Sequence, residues 1–163
     1  MKTPVTFSLS ADAIAHQVLA ISALRVVLKY EKKVTPAVLS RDRIPAIMEL
    51  TKSVFAKLTL HLLPFVDDAS MNGETATQAT EGDDILLTIA LFVPDKSTAT
   101  EQGVIRRLME HSLSMFVLAT AYADVDEVAS DRFKQMGFDS MDSLHALLAS
   151  ADPIPERFPL CWL

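Results

Sequence analysis

The stretch "EGDDILLTIALFVPDKST", Glu81 to Thr98, decides how the rest of the chain is read. Ile85, Leu87, Ile89, Leu91 and Val93 alternate with Leu86, Thr88, Ala90 and Phe92, and this period of two is the signature of a β-strand. Burying the first set alone is worth on the order of 7–15 kcal/mol, as an upper bound, at about 1.5–3 kcal/mol per side chain. That set must therefore be covered. The second set is also too apolar to face water, which predicts a further covering layer from the chain's own helices or from a neighbouring molecule.

Around this strand the pattern is helical. "VTFSL" alternates as a short half-buried strand carrying Val5, Phe7 and Leu9 on one side. Ser10 is a suitable N-cap and Asp12 suits the positive end of a helix dipole. Ile14, Val18, Ile21, Leu24 and Leu28 then recur at helical spacing, predicting a first helix to about Lys29. Asp42 is the expected N-cap of a second helix, which places Pro45 at the third helical position, where its missing amide hydrogen forfeits no bond. Ile44, Ile47, Met48, Thr51, Val54, Phe55, Leu58 and Leu62 form its buried stripe, and Pro64 ends it.

Residues 67–84 are polar, with Gly73, Gly82 and the run "TATQAT", and read either as a mobile excursion or as the arm of a hairpin with the strand that follows. Past Pro94, Thr98 or Thr100 caps a third helix to about Ala123. Asp124 or Asp126 opens a fourth helix to about Met136, where Gly137 is a left-handed stop. Asp139 then caps a short fifth helix with Met141, Leu144, Leu147 and Leu148. Residues 151–163 carry three prolines and predict an extended tail. The expectation is one α+β domain over 1–163, mainly α: about five helices in a bundle with a small antiparallel sheet or β-hairpin.

Composition narrows the function. Half of the residues are hydrophobic, 22% are charged and the formal charge is −6, so no nucleic-acid specificity is expected. The cluster Lys29, Lys32, Lys33, Arg41 and Arg43 reads as a solvated loop. Ala13–Leu24 and Ser112–Ala123 fall short of the roughly 20 residues of a membrane span, and no membrane association is expected. Cys161 is the sole cysteine, which excludes an internal disulfide and a CxxC motif.

Catalytic and metal-binding patterns are equally sparse. His16, His61, His111 and His145 form no HExxH or i, i+4 pair. "DVDEVASDRFKQ" places Asp124 and Asp126 like calcium ligands, but Ala129 stands where the loop needs glycine and Gln135 where it needs a bidentate glutamate. The pairs Asp67/Asp68 and Asp83/Asp84 are adjacent rather than separated as an acid and a base. No GxSxG, P-loop or GxGxxG is present. No enzyme activity, cofactor or metal is expected.

"GFDSM", Gly137 to Met141, resembles the phosphopantetheine attachment motif of acyl carrier proteins, and that resemblance implies Ser140 as the site of the prosthetic arm. Asp139 and Ser140 opening an ordinary helix is the competing reading.

A second resemblance covers Val5 to about Arg157. A strand leads through Ser and acidic residues into an apolar helix, "TFSLSADAIAHQVLAISAL". The helix "IPAIMELTKSVFAKLTLHLL", the strand "DDILLTIALFVPD", the helix "EQGVIRRLMEHSLSMFVLATAYA" and the end "PIPERFP" follow. This layout resembles small connector or neck proteins, head-completion or adaptor-like, of phages and prophages of gut Bacteroidales. It implies a non-catalytic virion subunit, repeated in a ring against itself and against portal or tail proteins, found in the virion and in the host cytoplasm during assembly. On that reading Ile85, Leu86, Ile89 and Phe92 of the strand, and Phe158, Trp162 and Leu163 of the tail, are the candidate interaction residues. A host-encoded helical interaction module is the alternative.

Overall fold

The computed structural model describes residues 2–29, 39–67, 76–94 and 97–149. Strand β3 (Asp84–Pro94) lies at the centre of a three-stranded antiparallel sheet. Strand β1 (Lys2–Ser10) pairs with it along its length, from Lys2↔Pro94 to Ser10↔Leu86. Strand β2 (Thr77–Glu81) pairs on the other side, from Thr77↔Thr88 to Glu81↔Asp84. The hairpin arm expected within 67–84 is thus formed by Thr77–Glu81. Gly82, at φ 62, supplies the left-handed residue of its two-residue loop. Beyond β2 the same edge of β3 is occupied by Val66, which bridges Leu91, and by the Asp67 amide, which donates to the Ala90 carbonyl at 2.9 Å.

This arrangement corrects the expectation for the strand. Ile89 is 0% exposed, and Leu87, Leu91 and Val93 are equally buried, packed with Phe7 and Leu9 of β1 in the chain's own core. Ile85 is also buried, so Ile85 and Ile89 are not available to a neighbour. Both edges of β3 are taken by the chain itself. On the other face Leu86 and Phe92 are half-buried, Ala90 is buried, and the Ser8 and Thr88 hydroxyls meet at 3.2 Å. The expected interaction residues Phe158, Trp162 and Leu163, with the whole 151–163 tail, lie outside the described residues, as do Lys32 and Lys33 of the basic cluster.

Helix α1 (Ala11–Lys29) starts directly from β1. Ser10 Oγ accepts from the Ala13 amide at 3.0 Å, as expected of an N-cap, and donates to Asp84 Oδ2 at 2.6 Å. Asp84 Oδ1 accepts from the amides of Asp12 (2.9 Å) and Ile85 (2.7 Å), so one carboxylate ties the start of α1 to the start of β3. Burial raises the Asp84 pKa, but the bonds from Ser10, Asp12 and Ile85 outweigh it and hold the group below its ordinary 3.8. A carboxylate with a depressed folded pKa adds stability that is present above the unfolded value and lost as pH falls through the folded one. Asp84→Asn should cost about 1 kcal/mol at neutral pH. The gap from wild type should close below about pH 4 in urea titrations at stepped pH.

A 3-10 turn, Arg41–Arg43, runs straight into helix α2 (Ile44–Leu62). Asp42 therefore sits inside that turn instead of capping α2, and Pro45 falls in the first helical turn, where it breaks no bond. The stripe Ile47, Met48, Thr51, Val54, Phe55, Leu58 and Leu62 is buried as its spacing predicts. Pro64 stands in the 3-10 turn Leu63–Phe65 that closes the helix.

Helix α3 (Ala99–Tyr122) opens on a capping box in which Thr98 and Glu101 each accept from the other's amide. It is the central helix and packs against α1, α2 and helix α4 (Glu127–Ala149). Asp126 Oδ1 accepts from the Ala129 amide at 2.9 Å and caps α4.

Four helices, rather than five, follow from one difference. Where a stop at Gly137 and a new cap at Asp139 are predicted, α4 runs through both. A Cβ at Gly137 would lie 2.7 Å from Phe116 Cε1, so the glycine is there to let α3 and α4 approach, with no left-handed turn involved. The buried side chains of β1, β3 and the four helices form one contiguous cluster.

Candidate interaction cleft

Helices α2 and α4 both pack on α3, and a cleft remains between them. Its floor is Phe116, Ala119, Thr120 and Ala123, the i, i+3, i+4, i+7 stripe of α3. One wall is Val54, Lys57, Leu58 and His61 of α2, again at i, i+3, i+4, i+7. The other is Ser130, Lys134 and Phe138 of α4, four residues apart. The volume is about 350 Å³, within the range of ligand and side-chain pockets. Its depth comes from sequence: beyond Phe116 the floor residues are small, and Gly137 draws α4 down onto α3.

Aromatic rings close one end. Phe138 meets Phe116 edge-on at 5.2 Å and His61 at 6.4 Å, both near perpendicular. His145 Nε2 donates to the His61 carbonyl at 3.0 Å and fastens α4 to the end of α2. The hydroxyls in the cleft are turned onto backbone: Ser130 Oγ donates to the Ala119 carbonyl (2.7 Å) and Thr120 Oγ1 to that of Phe116 (2.9 Å). The two charges that line the cleft, Lys57 and Lys134, are both positive and exposed, and make no ion pair with any described residue. Phe138 remains 39% exposed. The cleft is thus an open apolar trough with free ammonium groups in a chain of formal charge −6.

The contact between Gly137 and Phe116 gives a test of this geometry. Gly137→Ala gains up to about 1 kcal/mol of helix propensity but drives its methyl into the Phe116 ring. It should destabilise the wild-type background and stabilise a Phe116→Ala background. A double-mutant cycle by chemical denaturation should therefore show a change of sign.

The other sequence-derived candidates lie apart from the cleft. Ser140, the expected attachment site of a carrier arm, is buried in the middle of α4. Its hydroxyl donates to the Met136 carbonyl (3.1 Å) and is hydrogen-bonded to His111 Nδ1 (2.8 Å). A serine so enclosed neither opens a helix nor presents its oxygen to a modifying enzyme. Burial holds the His111 imidazole below its ordinary 6.5, so it favours the neutral form in the folded chain. His16 and His61 are exposed and His145 is half-buried. Among the described residues no group of three or more His, Cys, Asp or Glu side chains is placed to hold a metal, and no helix is long and apolar enough to cross a membrane.

Sequence reading missed the cleft because its floor and walls belong to three helices, with the α2 wall more than fifty positions from the other two. The signal that was available is the change from Phe116 to alanine, threonine and alanine along one stripe of α3. Comparison with protein-family models, with curated proteins and with solved structures gives no match.

Proposed function

We propose that this chain is a non-catalytic assembly protein that binds other protein subunits through the cleft between α2 and α4. The observation that carries this reading is the cleft's composition: a lining rich in apolar side chains, a partly exposed phenylalanine, and two lysines that make no ion pair with any described residue. Open apolar surface rimmed by polar groups is the usual mark of a docking site. The strand edges are less suited to that role. Those of β3 are occupied, and β1 carries Pro4, a residue that sheets tolerate on edge strands and that cannot donate to an added strand.

The particle in which such a subunit would serve is a tailed-phage virion, as a neck, adaptor or head-completion component contacting its own copies and portal or tail proteins. The support for this placement is the layout from Val5 to Arg157, which resembles Bacteroidales phage connector proteins and implies a helical bundle bearing a β-hairpin. Sedimentation velocity of the full chain over a wide concentration range tests the assembly role. Species larger than the monomer should grow with concentration. A chain that stays monomeric throughout, alone and when mixed with purified tailed-phage portal and tail proteins, would contradict the proposal.

A further inference from the structure

The sheet has a second face that the described elements leave without a layer. The helices pack against the side that carries Phe7, Leu9, Ile89 and Leu91. Leu86, Ala90 and Phe92 of β3 point the other way and belong to no part of that cluster. Beside them Pro4, Thr6 and Ser8 of β1 are exposed. Between Lys2 at one rim and Asp84 at the other, β1 and β3 place no charged side chain on this face. A strip so poor in charge, centred on leucine, alanine and phenylalanine, is a surface to be covered.

The end of α4 shows what is at hand to cover it. Lys2 Nζ donates to the Leu148 carbonyl at 2.8 Å, and Lys2 is paired with Pro94. The chain therefore passes Ala149 within a lysine's length of the Lys2–Pro94 rim, with Pro4 and Phe92 the next pair inward on this face. From Ala149 an extended chain at about 3.3 Å per residue reaches Phe158 within about 30 Å and Trp162 within about 43 Å, while Leu86 lies about 26 Å along β3 from Pro94. Length is thus sufficient to run the whole strand.

Composition fits as well. The run "FPLCWL", 158–163, carries no charge, like the strip it would cover. In an extended chain Phe158, Leu160 and Trp162 fall on one side, at the same two-residue spacing as Leu86, Thr88, Ala90 and Phe92. Pro153, Pro155 and Pro159 have no amide hydrogen for a ladder, so contact through side chains over a face suits this segment better than pairing at an edge. A tether this short gives an effective concentration in about the millimolar range, so in micromolar solution the segment meets its own sheet before a neighbour's.

We propose that residues 158–163 lie across this outer face of their own sheet, with Phe158, Leu160 and Trp162 against Leu86, Ala90 and Phe92. The second apolar set of β3 is then covered within the subunit, and the tail residues expected from the sequence to meet a neighbour are used in cis. The assignment is independent of the cleft, and a chain that never assembles would still carry it.

Trp162, the single tryptophan, is the probe. In the full chain at low concentration its emission should lie to the blue of that of a synthetic 151–163 peptide. It should also be less quenched by acrylamide, to an extent that does not change with protein concentration. Thr6→Lys together with Ser8→Lys puts two charges on the face at exposed positions and should return both readings to the peptide's, with an unchanged circular dichroism spectrum. Thr120→Lys, exposed on the floor of the cleft, should leave them as in wild type. Should the sheet pair fail to fold, Thr6→Lys alone makes the same test. A tryptophan as quenchable in the full chain as in the peptide overturns the proposal. Shielding that the sheet lysines do not release overturns it too, and release by Thr120→Lys would place the tail in the cleft. Shielding that grows with concentration would place the tail on a second copy and overturn the cis contact.

Discussion

Replacing Ile89 with aspartate is expected to leave no cooperatively folded protein. Ile89 is 0% exposed in the central strand, opposite Phe7 of β1 and beneath the helices. The substitution removes about 1.5–3 kcal/mol of apolar burial and places a carboxylate where no cation is at hand. An unpaired buried charge adds a penalty of several kcal/mol. Together these approach the whole stability of a domain, about 5–15 kcal/mol. Far-UV circular dichroism and thermal unfolding provide the readout. Ile89→Val, which removes one methylene, should cost only about 0.5–1.5 kcal/mol and leave the transition cooperative. A soluble, native-like Ile89→Asp protein would mean that β3 is not the centre of the core.

The second large effect is expected at Tyr122, the largest of the fully enclosed side chains among the described residues. Its ring packs near Phe133 of α4 at 5.8 Å between centroids, and its hydroxyl lies 2.6 Å from Ser22 Oγ of α1. Ser22 Oγ in turn accepts from the Leu39 amide at 3.1 Å, so one tyrosine links α1, α3, α4 and the chain entering α2. Tyr122→Ala should cost about 3–5 kcal/mol, because the cavity lies where three helices meet and cannot collapse freely. That corresponds to a melting-temperature drop of roughly 6–20 °C for a chain of this size. Tyr122→Phe keeps the ring and loses the hydrogen bond to Ser22 Oγ, worth about 1 kcal/mol. If the two variants were equally destabilised, the hydroxyl network, and not the ring, would be the main contribution.

The elements that were legible in the sequence are those whose signal is local. The alternation from Ile85 to Val93 marks β3, Ser10 marks the start of α1, and Thr98, one of the two threonines expected as a cap, marks the start of α3. The hairpin arm was legible as one of two alternatives, because Gly82 and the threonines of "TATQAT" suit a turn and a strand. Errors arose where a residue has two uses. Glycine ends helices by adopting positive φ, but Gly137 serves by lacking a side chain, and only its neighbour Phe116, on another helix, reveals which use applies. Asp139 and Ser140 look like a cap for the same reason and lie within α4.

The expectation that Ile85 and Ile89 meet a neighbour is corrected on similar grounds, since both are buried. Apolar residues on both faces of β3 signal that the strand is covered, without saying by what. The structure answers with β1, β2, Val66 and the helices of the same chain. The surface we propose for a partner is the α2–α4 cleft, whose residues from Val54 to Phe138 come together only through the packing on α3. No single stretch could announce it.

Hydrogen exchange compared at low and high protein concentration tests most directly whether association uses this cleft. Exchange reports the opening of local backbone hydrogen bonds, so amides under a new contact slow while others keep their rates. Peptides covering Val54–His61, Phe116–Ala123 and Ser130–Phe138 should gain protection as concentration rises, while β1 and β2 remain unchanged. Protection appearing along β1 or β2, with the cleft peptides unaltered, would contradict the account and return the interface to the sheet.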